Sequence, residues 1–267
     1  MRFTVWGARG SFPKPLTPQA IQSKIAAVVQ RIKPSDLVST DARERFLGSL
    51  PPWLFGTTGG NTACVQLELD ESRQLVFDAG SGIVEFGLSQ LRRDPAPSEY
   101  HILFTHFHYD HIQGLPFFPH AFNPEIAVHF YSPLDGLQEI LSRQMQHPWF
   151  PITMEDKMSK NLHFHKIPPE GVEIYGHHIR WHELNHPGRA FGYRVDQGAR
   201  SFGHVTDVEL REKDFERTEE NAVFFEDLDA MIIDSQYTLD EAIEKYNWGH
   251  SSFSLAVDFA VAWRAKR

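Results

Sequence analysis

The chain has 267 residues, 41% of them hydrophobic, enough for one large domain spanning 1–267 with a sizeable core. A formal net charge of -9 argues against an extended nucleic-acid surface but still allows a small anionic substrate, whose site is governed by local charge. The single cysteine, Cys64, rules out an intrachain disulfide, and the absence of a signal-peptide core or an apolar stretch of spanning length predicts a cytoplasmic protein with no membrane partner.

In chain order, residues 2–6 read as a strand. Thr17-Pro18 reads as an N-cap followed by proline at the first helical position. Ile21, Ile25, Val28, Val29 and Ile32 then recur at helical spacing until Lys33-Pro34 ends the helix. A second short helix is expected over 40–47, before Pro51-Pro52-Trp53. Cys64, in an alternating run, reads as a buried structural thiol. Strand-like runs follow at 65–69, 75–78, 101–105 and 127–131, with helices expected over 83–93 and 134–147. Further strand-like runs cover 172–175, 178–184, 192–195, 201–205 and 230–233. Strands in blocks with helices outside them imply stacked mixed sheets with helical flanks.

The stretch Thr105-His106-Phe107-His108-Tyr109-Asp110-His111 carries the most chemistry. Four side chains able to bind metal fall within six positions, directly after the apolar run Ile102-Leu103-Phe104. A strand would hold His106 and His108 on one side. As the chain turns toward Gly114 and Pro116, Asp110 and His111 can face a second point nearby. Imidazole nitrogen with carboxylate oxygen suits zinc and neighbouring first-row metals.

This HxHxDH signature resembles the metallo-β-lactamase-fold hydrolases, and the resemblance extends over nearly the whole chain. Trp6-Gly7-Ala8-Arg9-Gly10-Ser11 is similar to the family's opening strand and turn, and Gly59-Gly60-Asn61-Thr62 to the turn into its second hairpin. Phe77-Asp78-Ala79-Gly80-Ser81-Gly82 matches the strand and glycine turn under the metal site. Asn185-His186-Pro187-Gly188 and Thr206-Asp207 match later ligand motifs, and Ile233-Asp234-Ser235-Gln236-Tyr237 and Trp248-Gly249-His250-Ser251-Ser252 the closing ones. The branch it resembles holds tRNA 3′-processing endonucleases and small phosphodiesterases. The resemblance implies a four-layered αββα sandwich. It gives His106, His108 and His186 to a first metal, Asp110 and His111 to a second, and Asp207 to both. Asp78 would orient a ligating imidazole from below. Residues 12–57 are longer than the family's turn here, and read as a helical insertion that covers the site, forms a homodimer contact or decorates the outside.

In the tRNA-processing relatives a helix after the His-Ser/Thr motif leads to a strand that ends in one more histidine ligand. Here the helix following His250-Ser251-Ser252 is followed by Arg267, the last residue. The expectation is a fold lacking that strand, or a chain continuing past Arg267, and a first metal site more fully occupied than the second. His204 reads as a packing group or one standing behind the ligands, His182 as structural, and His163, His165, His177 and His178 as solvent-facing or hairpin residues.

The resemblance implies phosphodiester hydrolysis on a small molecule through a metal-bound hydroxide. One or two zinc ions are expected, with Mn2+ or Fe2+ as substitutes, Asp110 serving the reaction and His250 protonating the leaving alkoxide. The oxygen-reducing diiron relatives carry Glu where His108 stands, and the best-known β-lactamases Arg where His111 stands. A tRNA endonuclease fits less well, because only about twenty residues separate His186 from Asp207, too few for a tRNA-binding arm. The rival readings are a lactonase or thioesterase on the same site, or a metal-binding regulatory module with little turnover.

Overall fold

The computed structural model describes residues 1–55 and 60–267. Gly59 of the glycine pair, and residues 56–57 at the end of the insertion, lie outside the described residues.

Among the described residues, eleven strands form two sheets. The first holds β1 (Arg2–Gly7), β2 (Cys64–Glu68), β3 (Gln74–Phe77), β4 (Glu99–Leu103), β5 (Ala127–Ser132) and β6 (Leu162–Lys166), in that order. Its first two pairings are antiparallel and the rest parallel. The second sheet holds β7 (Val172–Ile174), β8 (His177–Leu184), β9 (Ala190–Gln197), β10 (Arg200–Val205) and β11 (Ala230–Ile233), with spatial order β11-β10-β9-β8-β7. Its strands are antiparallel except for the parallel pair β10–β11.

Strand alternation sorts the side chains into layers. Leu75, Phe77 and Leu103 turn inward and meet Ile179, Phe191, Tyr193, Val195 and Phe202 of the second sheet. Their neighbours Val76 and Ile102 turn outward, with Val128 and Phe130, against Ile83 and Phe86 of helix Gly82–Gln90 and Leu137 and Leu141 of helix Leu137–Arg143. On the far side of the second sheet, Leu184 and Val205 pack on Phe224 and Phe225 of helix Glu219–Phe225 and on Phe259 and Trp263 at the last helix. The result is helix, sheet, sheet, helix.

The expected elements form within a few residues of their predicted bounds. The short helices at 109–112, 154–157, 219–225 and 239–244 and the edge strand β6 have no counterpart in the sequence reading. Cys64 is fully buried, and burial pushes its thiol pKa up. In the insertion, Thr17 caps helix Pro18–Val29 by accepting the Ala20 N–H at 3.2 Å, and a second helix spans Thr40–Ser49. The first helix buries none of its residues, so the apolar stripe of Ile21, Ile25 and Val29 faces outward. After the last helix, Phe253–Ala262, the backbone of the final residues runs beside the edge strand. Lys266 N–H donates to Leu228 O and Met231 N–H to Arg267 O, each at 2.9 Å. Among the described residues no helix is long and apolar enough to cross a membrane.

Candidate metal centre

Several strands end at one edge of the sandwich, and their exit turns carry the polar residues. Asp78 follows β3, 105–111 follow β4, His186 follows β8, Asp207 follows β10 and Asp234 follows β11. Asp78 and Asp207 both adopt left-handed backbone (φ 63° and 53°), a conformation that short polar side chains tolerate better than most and that here aims the carboxylates. Gly80 is dictated by space: a Cβ there would lie 2.2 Å from Asp110 O, so only glycine lets the 78–82 turn pack under the ligand loop.

The expectation that strand pleating sets His106 and His108 on one side is corrected by the structure, because β4 ends at Leu103. Asp78 shapes the segment that follows. Its carboxylate accepts the Thr105 N–H and Thr105 hydroxyl, both at 2.8 Å, and lies 2.9 Å from His111 Nδ1. Phe191 N–H donates to Thr105 O at 2.9 Å and Tyr193 Oη donates to Phe104 O at 2.6 Å, tying the loop to the second sheet.

The donor atoms converge in two groups. His108 Nδ1 lies 3.1 Å from both His106 Nε2 and His186 Nε2. Asp207 Oδ2 lies 3.3 Å from His111 Nε2, 3.5 Å from His106 Nε2 and 3.8 Å from His186 Nε2. Asp110 Oδ2, which accepts the Ser11 N–H at 2.7 Å, is 3.8 Å from His111 Nε2. The outward nitrogens are held elsewhere: His106 Nδ1 is 3.1 Å from Thr105 Oγ1, and His186 Nδ1 2.7 Å from Gly249 O. Imidazoles fixed from behind, with the other nitrogen facing a shared point, are the arrangement that metal ligands adopt. The set therefore fits a divalent cation. His106, His108 and His186 form one group and His106, His111 and Asp207 a second that shares His106, while Asp110 joins neither and approaches only His111, at 3.8 Å.

The buried carboxylates draw positive charge to this cluster. Burial would lower the His111 pKa, but Asp207 and Asp78 outweigh it and hold it well above the usual value. Burial would raise the Asp207 pKa, yet His111, His106 and His250 keep it well below. Burial and His111 lower His106, and burial lowers His186, leaving their lone pairs free to coordinate.

His250 stands beside this cluster. Its ring is 5.2 Å from that of His186, and it shares a candidate ligand group with His186 and Asp207. Its Nδ1 is 2.8 Å from Asp234 Oδ2, a buried carboxylate that also accepts the Val208 N–H. Burial would lower the His250 pKa, but Asp234, Asp207 and Asp110 raise it. Glu209 fixes the loop by accepting N–H bonds from Asn247 (3.1 Å) and Gly249 (2.9 Å). Gly249 has φ +87°, and a Cβ there would come 2.4 Å from His186 Nδ1. Asp234 and Glu209 were not singled out by sequence; Asp234 lies within a quoted closing motif, whereas Glu209 has no distinguishing spacing.

Among the other histidines, His204 is buried behind the cluster, stacked on Phe77 at 4.8 Å with Nε2 4.0 Å from Asp78 Oδ2. His182 stacks on Phe224, with Nδ1 3.3 Å from Glu220. His178 pairs with Glu173 in the β7–β8 hairpin. His163 and His165 lie on β6.

A cleft of about 590 Å³ opens beside His111 and Asp207, with Arg9, Ser11, Asp234 and Lys245 also in its walls. Another of about 620 Å³ lies within the 31–51 segment, lined by Arg31, Lys33 and Arg45 and remote from the ligand cluster.

Two stacked sheets between helical layers, with a histidine–aspartate cluster at one edge, define the metallo-β-lactamase fold, found mostly in metal-dependent hydrolases. The chain belongs to the β-lactamase superfamily, whose domain model matches residues 73–267. Human tRNase Z, short form, is similar in structure at 20% identity and a TM-score of 0.59, over 79% of this chain and 85% of that one. A diphosphatase from the PhnP family is similar at 18% identity and a TM-score of 0.62, over 99% of this chain and 83% of that one. The metallo-β-lactamase fold protein YhfI from Bacillus subtilis is similar at 13% identity and 0.62, over 99% and 82%. At these identities the likeness speaks for the fold. No curated protein matches the sequence.

Proposed function

We propose that the protein is a metal-dependent phosphodiesterase acting on a small phosphodiester. His106, His108 and His186 would hold one ion, Asp110 and His111 a second, and Asp207 both. Imidazole and carboxylate donors favour zinc, with Mn2+ or Fe2+ as substitutes. When bound, the ions supply Lewis acidity and a lowered pKa for water.

The observation that carries the reading is the His250–Asp234 pair beside His186 and Asp207. Asp234 fixes Nδ1 and favours the protonated ring, so the other ring nitrogen can give a proton to the leaving oxygen. Asp110 is aligned by the Ser11 N–H, and Arg9 in the cleft wall offers positive charge to a phosphoryl group. Two of the structural neighbours are named a tRNase and a diphosphatase, which supports a phosphate-containing substrate.

Elemental analysis of the purified protein is expected to show at least one equivalent of zinc, manganese or iron. A screen is expected to show hydrolysis of nitrophenyl phosphodiesters or cyclic nucleotides. A protein that takes up no metal on reconstitution, or that opens lactones and leaves phosphodiesters intact, would overturn the proposal.

Asp78 should matter to metal affinity without touching metal, because it holds His111 and the Thr105 backbone. Asp78→Asn is expected to weaken binding by roughly 10–100-fold, the usual effect of removing a carboxylate behind a ligating histidine. Competition against a chelator measures this, and unchanged affinity would count against the arrangement.

A further inference from the structure

A second cluster of imidazoles lies on the inner face of the first sheet, away from the centre just described. The parallel register sets His101 of β4 opposite His129 of β5, and His129 opposite His163 of β6. Glu99 lies two residues before His101 on the same face. The rings stack in a ladder: His101 on His129 at 4.8 Å, His129 on His163 at 4.6 Å, and Tyr131 on His165 at 4.6 Å. Tyr175 closes over His101 edge-on at 4.7 Å. Further along the same face the core is apolar, with Leu103, Phe77 and Leu75. Packing alone does not call for imidazoles here.

His101 carries the argument furthest. It is 8% exposed, and its Nδ1 is held 2.9 Å from Tyr131 Oη. Its Nε2 is buried with no hydrogen-bond partner, 3.8 Å from Glu99 Oε1. An unpartnered buried nitrogen carries a desolvation cost that a bound cation would remove. His129 has its Nδ1 held 3.0 Å from His165 Nε2, which leaves its own Nε2 available. One donor atom from each of Glu99, His101 and His129 lies within 4.8 Å of the others. Tyr131 and His165 engage the Nδ1 of His101 and of His129, which leaves the two Nε2 atoms as the free donors.

We propose that Glu99, His101 and His129 form a further metal site, for zinc or another late first-row divalent cation, that clasps β4 to β5. Two imidazoles and a carboxylate are a zinc-type donor set that leaves a fourth position for water. The His101 and His129 rings stand only 7° from parallel, so sharing one ion requires one of them to turn out of the stack. His129 and Glu99 are half-buried at the rim, whereas His101 is buried. His101 lies five positions before His106, and this group shares no residue with the candidate centre described above.

The test is metal counting on the full chain. Protein stripped with chelator is titrated with Zn2+ alone, desalted and analysed for zinc per chain, in parallel for the parent, Glu99→Gln, His129→Gln and His106→Ala. Circular dichroism confirms the fold of each. Glu99→Gln and His129→Gln are each expected to hold one zinc equivalent fewer than the parent and to keep its hydrolytic rate. His106→Ala is expected to lose catalytic metal and still lose one further equivalent when combined with Glu99→Gln. Co2+ should give a second visible absorption component, missing from the two rim variants. Equal zinc content in the parent, Glu99→Gln and His129→Gln would overturn the proposal, whatever the result for His106→Ala.

Discussion

Asp207→Asn is expected to abolish phosphodiester hydrolysis while the protein stays folded. Asp207 Oδ2 is the oxygen nearest to both imidazole groups, within 3.3–3.8 Å of His111, His106 and His186. An amide keeps the shape but removes the charge that would offset the proposed cations. Charge stabilisation of this kind is worth several kcal/mol, and each 1.36 kcal/mol is tenfold, so the loss should be roughly a thousandfold or more. The hydrolysis rate on a nitrophenyl phosphodiester, metal content and a thermal unfolding curve should be measured together. A variant that keeps the parent's rate and metal content would remove Asp207 from the proposed centre.

His250→Ala should show its effect through the leaving group. A general acid contributes roughly 10²–10⁴-fold, and only where the departing oxygen needs the proton. An alkyl phosphodiester should therefore slow far more than a nitrophenyl one, with the metal at His106, His108 and His186 unchanged. The Asp234 contact at 2.8 Å predicts a similar but smaller substrate bias in Asp234→Asn. If both substrates slow equally and metal is lost, His250 is acting as a ligand, a role its place in a group with His186 and Asp207 makes worth testing.

Much of this arrangement is legible in the sequence because the strand cores are apolar and the side chains at their ends are not. The runs before Asp78 and His106 are continuously apolar and buried, and the candidate site residues sit in the turns after them. The pleat argument for His106 and His108 fails, because β4 stops at Leu103 and Asp78 takes over the Thr105 backbone. Strand β6 escapes notice because histidine replaces the apolar residue on one of its faces, Leu162-His163-Phe164-His165-Lys166. The stripe at Ile21, Ile25 and Val29 has the period of a buried helix face, yet it is exposed; periodicity shows which side is apolar and not what covers it. Asp234 and Glu209 act through loops brought together only by folding, so no local spacing marks them.

The 247–250 loop gives the centre a mechanical character. Gly249 O holds His186, the next residue is His250, and Glu209 clamps both Asn247 and Gly249. His186, a proposed metal ligand, and His250, the proposed proton donor, are therefore both tied to one loop that Glu209 clamps. Trp248, 65% exposed, sits on the same loop between the two residues whose N–H groups Glu209 accepts. Changes at His186 and His250 should then be coupled rather than additive, since neither can be displaced without dragging on the other.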